Sequence, residues 1–582
     1  MRPLALLGVF IIAKLVILAG RPIQYSIWTP VAYFWQDVLV ALVFWSLDVA
    51  IRRPWLGWAL YGAAVFYTAV NVPIARVLSS PLTWPMIGAA GGALSDSIAH
   101  HATPANLASM SLVLAAGAAL PISLRRARLQ RSPTALIICA LLFVAAGPIA
   151  TSRVETIGLG RNAIVALART ALPRLAARSP GSDTERDWRA SPFHTGAGSH
   201  ELDHLRGAAS GRNVVLIVLE SAGAEHLSLY GASRDPMPNL TKLAQSSIVF
   251  ENAYSVYPES IKALFSILCS RYPAMDTETQ EYARITTRSL TSILKEAGYS
   301  TALFHSGRFM YLGMEAVVEN RGYEVLEDAG AIGGMFESSF GVDEPSTVRR
   351  AITWIDSLPR GERFFLTYLP IAGHHPYDTP EPGPFPEESE SDRYLNALHY
   401  CDRSLGTLLD ALGDRDLYRN TMFIVFGDHG QAFGRHEGNF GHSLFLYEEN
   451  IRVPYLIALP GLIAEQARVQ ATISLIDTAP TVLDLLGLEP PADYQGRSAL
   501  EAERAMALFY TDYSLSLMGL RDGCWKYIYE LDSGRSKLFD LCRDRMELND
   551  LSALHPDLVA PYRARLTGWG AAQKRLILEE TD

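Results

Sequence analysis

Asp428-His429, an oxygen ligand beside a nitrogen ligand, directly follows the run TMFIVFG. Residues 422–426 are apolar without alternation, the pattern of a strand buried on both faces of a parallel sheet. In open α/β sheets, ligands gather in the crevice at the carboxyl ends of the strands, so a charged pair ending such a strand is a candidate metal site. The competing reading is an Asp capping the next helix beside an exposed His. A second apolar run, NVVLIVL over 213–219, also ends in a carboxylate, Glu220. Together Glu220, Asp428 and His429 make three ligands of a divalent site.

A hydroxyl joins them. Ser260 stands at the start of a helical pattern, IKALFSIL, whose Ala263, Leu264, Ile267 and Leu268 share one face. Serine there is a common N-cap. It is also well placed for phosphoryl chemistry, because the free N–H groups and dipole of a helix start attract an anion. A bound metal would further lower its pKa. Lys262, two residues on, could help with charge.

These elements follow a long apolar region. The chain has 582 residues, 49% hydrophobic and 19% charged, with a positive mean hydropathy. Five stretches, roughly 4–20, 30–50, 55–77, 106–122 and 134–150, each approach the ~20 residues that cross a bilayer as a helix. The first reads as a retained signal anchor, since four more follow. Arg2, the pair Arg52 and Arg53, and the cluster Arg125, Arg126, Arg128 and Arg131 fall on one side if the N-terminus is cytoplasmic. Five spans then place everything after residue 150 outside. Lys14 and Asp37 sit at similar depth in antiparallel spans and could pair, as a pin between helices or in lipid handling. Residues 79–104 suit an interfacial or re-entrant piece; its His100 and His101 read as a surface pair. Residues 158–179, with Arg161, Arg169, Arg174 and Arg178, read as a basic amphipathic helix in the headgroup region, and a polar linker follows.

From about residue 213 onwards the chain resembles the sulfatase-like branch of the alkaline phosphatase superfamily. NVVLIVLESAGAEHLSLYG resembles the opening strand of lipoteichoic acid synthases and related phosphoglycerol transferases. MPNLTKLAQSSIVFENAYS, SILCSRYP, FGDHGQAFGRHEG, LYEENIRVPYLI, LIDTAPTVLDLLGL and WKYIYELDSGRSKLFDLCRDRMELNDL resemble successive sulfatase-like blocks. The implied organisation is a five-helix transmembrane domain (1–152), a juxtamembrane helix and linker (153–211), an extracytoplasmic α/β/α sandwich (212–495) and a small C-terminal β subdomain (496–582).

By position, the resemblance makes Glu220, Ser260, Asp428 and His429 the metal ligands and Ser260 the nucleophile. Sulfatases keep there a cysteine that becomes formylglycine, followed by x-P-x-R, whereas Ile261-Lys262-Ala263-Leu264 follows here. That argues against conversion. An imidazole ligand shifts the metal from calcium towards manganese (Mn2+) or zinc (Zn2+), with magnesium (Mg2+) or calcium (Ca2+) still open. His374 matches the family histidine that contacts the transferred group, with His375 as its structural neighbour. His442 falls where sulfatases carry a lysine and could protonate the leaving oxygen. His305 and Arg308 fall where the synthases bind the phosphoglycerol head; for Arg308 a surface salt bridge is the alternative. His436 and Arg452 are weaker candidates.

The expected function is therefore membrane-anchored, metal-dependent transfer of a phosphoalcohol group from a lipid donor to an envelope glycan or lipid acceptor. A sulfatase or phosphodiesterase, and an inactive scaffold, are the alternatives. The formal charge of −10 disfavours nucleic acid; oligomeric state is not legible. Cys524 and Cys542 stand almost symmetrically about the Asp532-Ser533-Gly534 turn and could form a disulfide outside the membrane, whereas Cys139 should be free. Cys269 and Cys401 are either a second pair or two buried thiols.

Overall fold

A computed structural model of the chain describes residues 1–89, 101–126, 133–173, 187–193, 202–337, 340–501 and 506–581. His100, Arg128, Arg131, Arg174 and Arg178 lie outside the described residues, as does most of the linker.

Parallel pairing organises the chain from residue 213 onwards. Six strands, β1 (Asn213–Leu219), β2 (Ser247–Tyr254), β3 (Ser300–His305), β4 (Val325–Glu327), β5 (Phe364–Leu369) and β6 (Thr421–Gly427), lead into short β7 (Ala432–Phe433), β8 (Phe440–Gly441) and β9 (Arg452–Val453). With β10 (Tyr455–Ala458) and β11 (Ala467–Ser474), β1 to β6 form a sheet in the order β11-β2-β10-β6-β1-β5-β3-β4, with β9 on β2, while β7 and β8 pair as a separate two-stranded sheet. From β6 to β4 every pairing is parallel; β10 runs antiparallel between β6 and β2. The reason for the unbroken apolar runs is visible in β1. Val214, Leu216 and Val218 enter the core on one face, and Val215, Ile217 and Leu219 enter the core on the other. Both faces are dry, so neither tolerates a polar alternate. Helix Ser260–Cys269 covers the first face, and helices Glu344–Ser357 and Glu390–Asp414 cover the second.

The C-terminal subdomain is a four-stranded antiparallel sheet, β12 (Ala507–Thr511), β13 (Leu517–Asp522), β14 (Trp525–Glu530) and β15 (Ser536–Asp540). Helix Pro556–Thr581 then returns to the main core, where Glu580 pairs with Arg271 at 2.7 Å and Lys574 with Asp276 at 2.9 Å. Cys524 and Cys542 form a disulfide, whereas Cys269 and Cys401 are buried free thiols.

Among the described residues, four helices are long and apolar enough to cross a membrane: Thr29–Ala50, Pro54–Leu78, Pro104–Arg125 and Thr134–Arg153. The sequence leads one to expect five. Helix Arg2–Leu18 has 17 residues, at the lower limit for a span, yet it packs Ala5, Leu6, Val9, Phe10 and Ala13 into the same bundle. Lys14 and Asp37 do pair, at 2.8 Å. The pair holds more than two helices, because Lys14 Nζ also donates to the carbonyl of Gly160 at 2.9 Å, and Asp37 accepts from Asn162 Nδ2 at 2.7 Å. It therefore fixes the loop that leads out of the bundle.

That loop corrects the amphipathic-helix expectation. Among its described residues, 158–173, only Ala163–Thr170 is α-helical, capped by Asn162. Arg161 donates to Ser514 Oγ at 2.6 Å and Arg169 to Asp532 at 2.6 Å, so both bind the C-terminal part of the chain instead of facing headgroups. The linker is tied down too. Arg189 is buried and pairs with Asp477, with Nη2 donating to Oδ2 at 2.8 Å.

Breaking one member of a buried pair strands a charge and costs about 3–5 kcal/mol. Lys14→Ala and Asp37→Ala are each expected to lower the thermal unfolding midpoint in detergent clearly, and the swapped pair Lys14→Asp with Asp37→Lys to recover part of the loss. A full-length midpoint unchanged in both single variants would show that the pair does not hold the bundle.

Candidate metal and nucleophile site

Register explains why the two carboxylates meet. Leu219 of β1 lies opposite Gly427 of β6, so the next residues, Glu220 and Asp428, leave adjacent parallel strands side by side. The turns there are tight. Ser221 adopts φ of +56° and its N–H donates to Asp428 Oδ1 at 3.0 Å. A Cβ on Gly427 would stand 2.2 Å from the carbonyl of Ala222, so only glycine fits. His429 is fully buried, and its own N–H donates to Asp428 Oδ1 at 2.7 Å.

Ser260 completes the group. Its Oγ donates to Glu220 Oε2 at 2.8 Å and lies 3.3 Å from His429 Nε2. The N-cap of helix Ser260–Cys269 is Glu259, whose carboxylate accepts from the N–H of Ile261 at 3.0 Å and of Lys262 at 3.4 Å. Ser260 is thus the first residue of the helix, and its hydroxyl is spared the capping role that its sequence position suggests.

One ligand atom from each of Glu220, Asp428 and His429 lies within 4.8 Å of the others. With Nδ1–H donating to the Gly430 carbonyl at 3.1 Å, His429 turns Nε2 towards both carboxylates. Electrostatics fit a cation. Burial, then the neighbouring Glu220, pushes the Asp428 carboxyl up to about 7. Burial also raises Glu220, but His429, His374 and the hydroxyls of Ser260 and Ser221 outweigh it, and the net shift is downward. Burial opposes a charged His429, yet Asp428 and Glu220 outweigh it and raise the imidazole. Two buried carboxylates, an imidazole and a hydroxyl converge on one point, a donor set suited to a divalent cation.

Other candidates surround this point. His442 stacks on His429 with ring centroids 4.2 Å apart, and His374 lies edge-on to His442 at 6.1 Å. Burial, then His429, His374 and His375, holds His442 well below the usual histidine range. Its Nδ1 is 3.1 Å from Gln431 Oε1, and Gln431 Nε2 donates to Tyr377 at 2.7 Å. His305 ends β3 buried, with Nδ1 donating to the Leu369 carbonyl at 2.9 Å, and burial lowers it. Lys262 turns to Asp512 at 3.4 Å and over the Tyr257 ring at 4.8 Å. Arg308 takes the salt-bridge alternative, 3.5 Å from Glu337. His436 binds Glu449 at 3.0 Å and Arg452 the carbonyl of Glu251 at 2.8 Å.

The sequence gives no role to Glu344, yet it shapes the loop that carries His374. Its Oε1 accepts from the N–H groups of Ile371 at 2.9 Å and Ala372 at 3.0 Å and from Ser306 Oγ at 2.8 Å, while Tyr368 donates to Oε2 at 2.6 Å. The loop passes so close to β1 that a Cβ on Gly373 would be 2.1 Å from the Glu220 carbonyl. The Asp-Glu-Pro run at 343–345 signals a helix start, and Asp343 is that cap, but nothing local shows Glu344 reaching two strand ends.

Comparison with known proteins now bears on this geometry. The sulfatase family model matches residues 212–488, and the model for the C-terminal region of N-sulphoglucosamine sulphohydrolase matches 436–558. Residues 212–488 are a sulfatase domain of the alkaline phosphatase superfamily. The chain is similar to a lipoteichoic acid synthase-like protein, YvgJ, of Bacillus subtilis at 24% identity over 324 residues, 51% of this chain and 51% of the relative. Arylsulfatase K of Mus musculus is 28% identical over 243 residues, 37% of this chain and 43% of the relative. The chain spans about half the length of the curated relatives it matches. A solved alkaline phosphatase superfamily protein from Vibrio parahaemolyticus shares the fold with a TM-score of 0.57 at 18% identity, covering 70% of this chain and 98% of that one. A 2-O GAG sulfatase gives 0.50 at 17% identity, covering 62% and 92%.

Two outcomes follow for this site. Asp428→Asn is expected to lower divalent metal retained after dialysis, measured by elemental mass spectrometry, by at least about tenfold. The second concerns Glu344, which burial raises from 4.5 to about 7. A carboxyl with a raised folded pKa favours the fold below about 4.5 and loses that contribution as pH rises through about 7. Glu344→Gln should flatten this part of the stability profile in thermal unfolding between pH 4 and 8; an unaltered slope would exclude Glu344 as its source.

Proposed function

We propose that the protein is a membrane-anchored, metal-dependent enzyme that transfers a phosphoalcohol group, of the phosphoglycerol or phosphoethanolamine type, through a covalent Ser260 intermediate. The observation that carries this reading is the freed Ser260 hydroxyl, held between Glu220 and His429 at a helix start capped by its neighbour. The donor is a membrane lipid and the acceptor an envelope glycan or lipid. The N-terminus is cytoplasmic and the sulfatase domain extracytoplasmic, in keeping with the basic clusters; the packing of helix Arg2–Leu18 in the bundle supports a fifth crossing.

Glu220, Asp428, His429 and Ser260 would hold the cation, with manganese or zinc favoured. Such an ion supplies a lowered hydroxyl pKa and charge stabilisation on the ester oxygens. Ser260 Oγ attacks phosphorus and gives its proton to Glu220 along the hydrogen bond between them. The bond to Oγ forms and the bond to the leaving alcohol breaks. His442 is neutral at rest, but an entering anion offsets the positive neighbours that hold it so, and a proton taken up there from solvent passes to the leaving oxygen. In the second step His442 accepts a proton from the incoming alcohol or water, which attacks the phosphoserine; the bond to Oγ breaks and Oγ takes back the proton held by Glu220, regenerating Ser260. His374 and His305 line the headgroup side.

Hydrolysis of a sulfuric ester is the second reading, favoured by the match of residues 436–558 to a sulphohydrolase region. The mass of the Ser260 peptide from protein purified out of its native membrane separates the two. Added phosphate or phosphoalcohol, absent in Ser260→Ala, is the expected result, with turnover in that variant lower by roughly three orders of magnitude. Loss of two hydrogens would instead mean formylglycine and the sulfatase reading.

A further inference from the structure

Between membrane helices Pro54–Leu78 and Pro104–Arg126 the chain forms a segment whose described parts are bound to the rest of the molecule at several points. The N–H of Leu82 donates to Asn71 Oδ1 at 2.8 Å and that of Trp84 to Thr170 Oγ1 at 2.9 Å. Thr83 Oγ1 donates to the Tyr513 carbonyl at 2.7 Å, and Ser80 and Ser514 share a hydrogen bond of 2.5 Å. The base of the segment is therefore fixed to both the bundle and the C-terminal subdomain.

From that base the segment meets three loops that carry candidate site residues. Met86 is buried in the same apolar cluster as Leu444 and Phe445, just beyond His442. Helix Trp84–Ala89 lies against Tyr311–Gly313, just beyond Arg308. His101 stacks on His375, the residue after His374, with ring centroids 5.6 Å apart and planes 9° apart. On helix Trp84–Ala89, Trp84 is 51% and Ile87 39% exposed, and Met310, just before the loop the helix meets, is 62% exposed. An exposed tryptophan and isoleucine on a piece joined directly to two membrane helices match a hydrocarbon neighbour better than water.

We propose that Trp84–Ala89 and His101 form the membrane-side wall of the substrate site, against which the acyl chains of a lipid ester lie while its headgroup ester reaches Ser260. The proposal rests on the reading of Ser260 as the nucleophile towards a lipid phosphodiester. On it, the membrane bundle is part of the specificity apparatus as well as an anchor.

Two measurements on full-length protein test this. In the first, turnover of a fluorescent phosphatidylglycerol is compared with that of bis(4-nitrophenyl) phosphate. His101→Ala and Ile87→Glu are expected to lower kcat/KM for the lipid ester about tenfold more than for the soluble one, mainly through KM. His101→Phe, which keeps a stacking ring, should restore most of the ratio. Equal loss on both esters would overturn the proposal. In the second, the fluorescence that Trp84→Phe removes is measured in brominated and unbrominated phosphatidylglycerol vesicles. Quenching by the brominated chains is expected, and none would overturn the wall. If the wild type turns over neither ester, the phosphodiester reading falls, and the quenching decides the wall by itself.

Discussion

Two carboxylates, Glu220 and Asp428, are buried side by side at the ends of neighbouring parallel strands, and much of the sulfatase domain serves to keep them there. Like charges that close resist joint ionisation in a dry site. The raised Asp428 and lowered Glu220 are the two halves of that conflict. The fold answers it with His429 and with hydrogen bonds from Ser260, Ser221 and the His429 backbone. A divalent cation would answer it more fully. The site is thus built around a negative charge excess, and the Ser260 hydroxyl shares its hydrogen-bonding network.

The same logic accounts for the surrounding imidazoles. His429, His442 and His374 step outward, each with Nδ1 against a backbone carbonyl or the Gln431 side chain. Anchoring one ring nitrogen leaves Nε2 for the ligand side. Lys262 and Arg308, by contrast, meet Asp512 and Glu337 of the same chain. Lys262 lies on helix Ser260–Cys269 and Asp512 just after the first strand of the C-terminal subdomain, so this pair ties that subdomain to the helix that carries Ser260. Thr511 Oγ1 donates to the Ser443 carbonyl, next to His442, at 2.5 Å, and Ser514 reaches the membrane-proximal segment. Residues 511–514 thus touch helix Ser260–Cys269, the neighbourhood of His442 and the base of the bundle. Bundle, subdomain and site are joined as one body there.

The membrane half shows how a charge pair becomes a mechanical device. Lys14 and Asp37 are costly to bury, and pairing alone satisfies only part of their hydrogen-bonding capacity. The carbonyls of Tyr33 and Gly160 and the Asn162 amide take up the rest. The exit loop is held as a by-product of satisfying the pair. This is a packing role, that of a pin between helices.

Much was legible in the sequence for a simple reason. A strand dry on both faces must be an unbroken apolar run, so β1 and β6 announced themselves, and the residues ending them, Glu220, Asp428 and His429, were marked by position. Lys14 and Asp37 were legible because charges in apolar spans need partners. Tertiary structure decided what depends on register and on distant chain segments. Only the alignment of Leu219 with Gly427 brings Glu220 to Asp428. The identity of the cap, Glu259 in place of Ser260, is a matter of backbone angles that spacing leaves open. Glu344, which ties two strand ends, and His101, which stacks on a loop far away in the chain, carry no local pattern, because their roles lie in contacts between segments. The sequence determined which groups could do the chemistry; the fold determined which of them face one another.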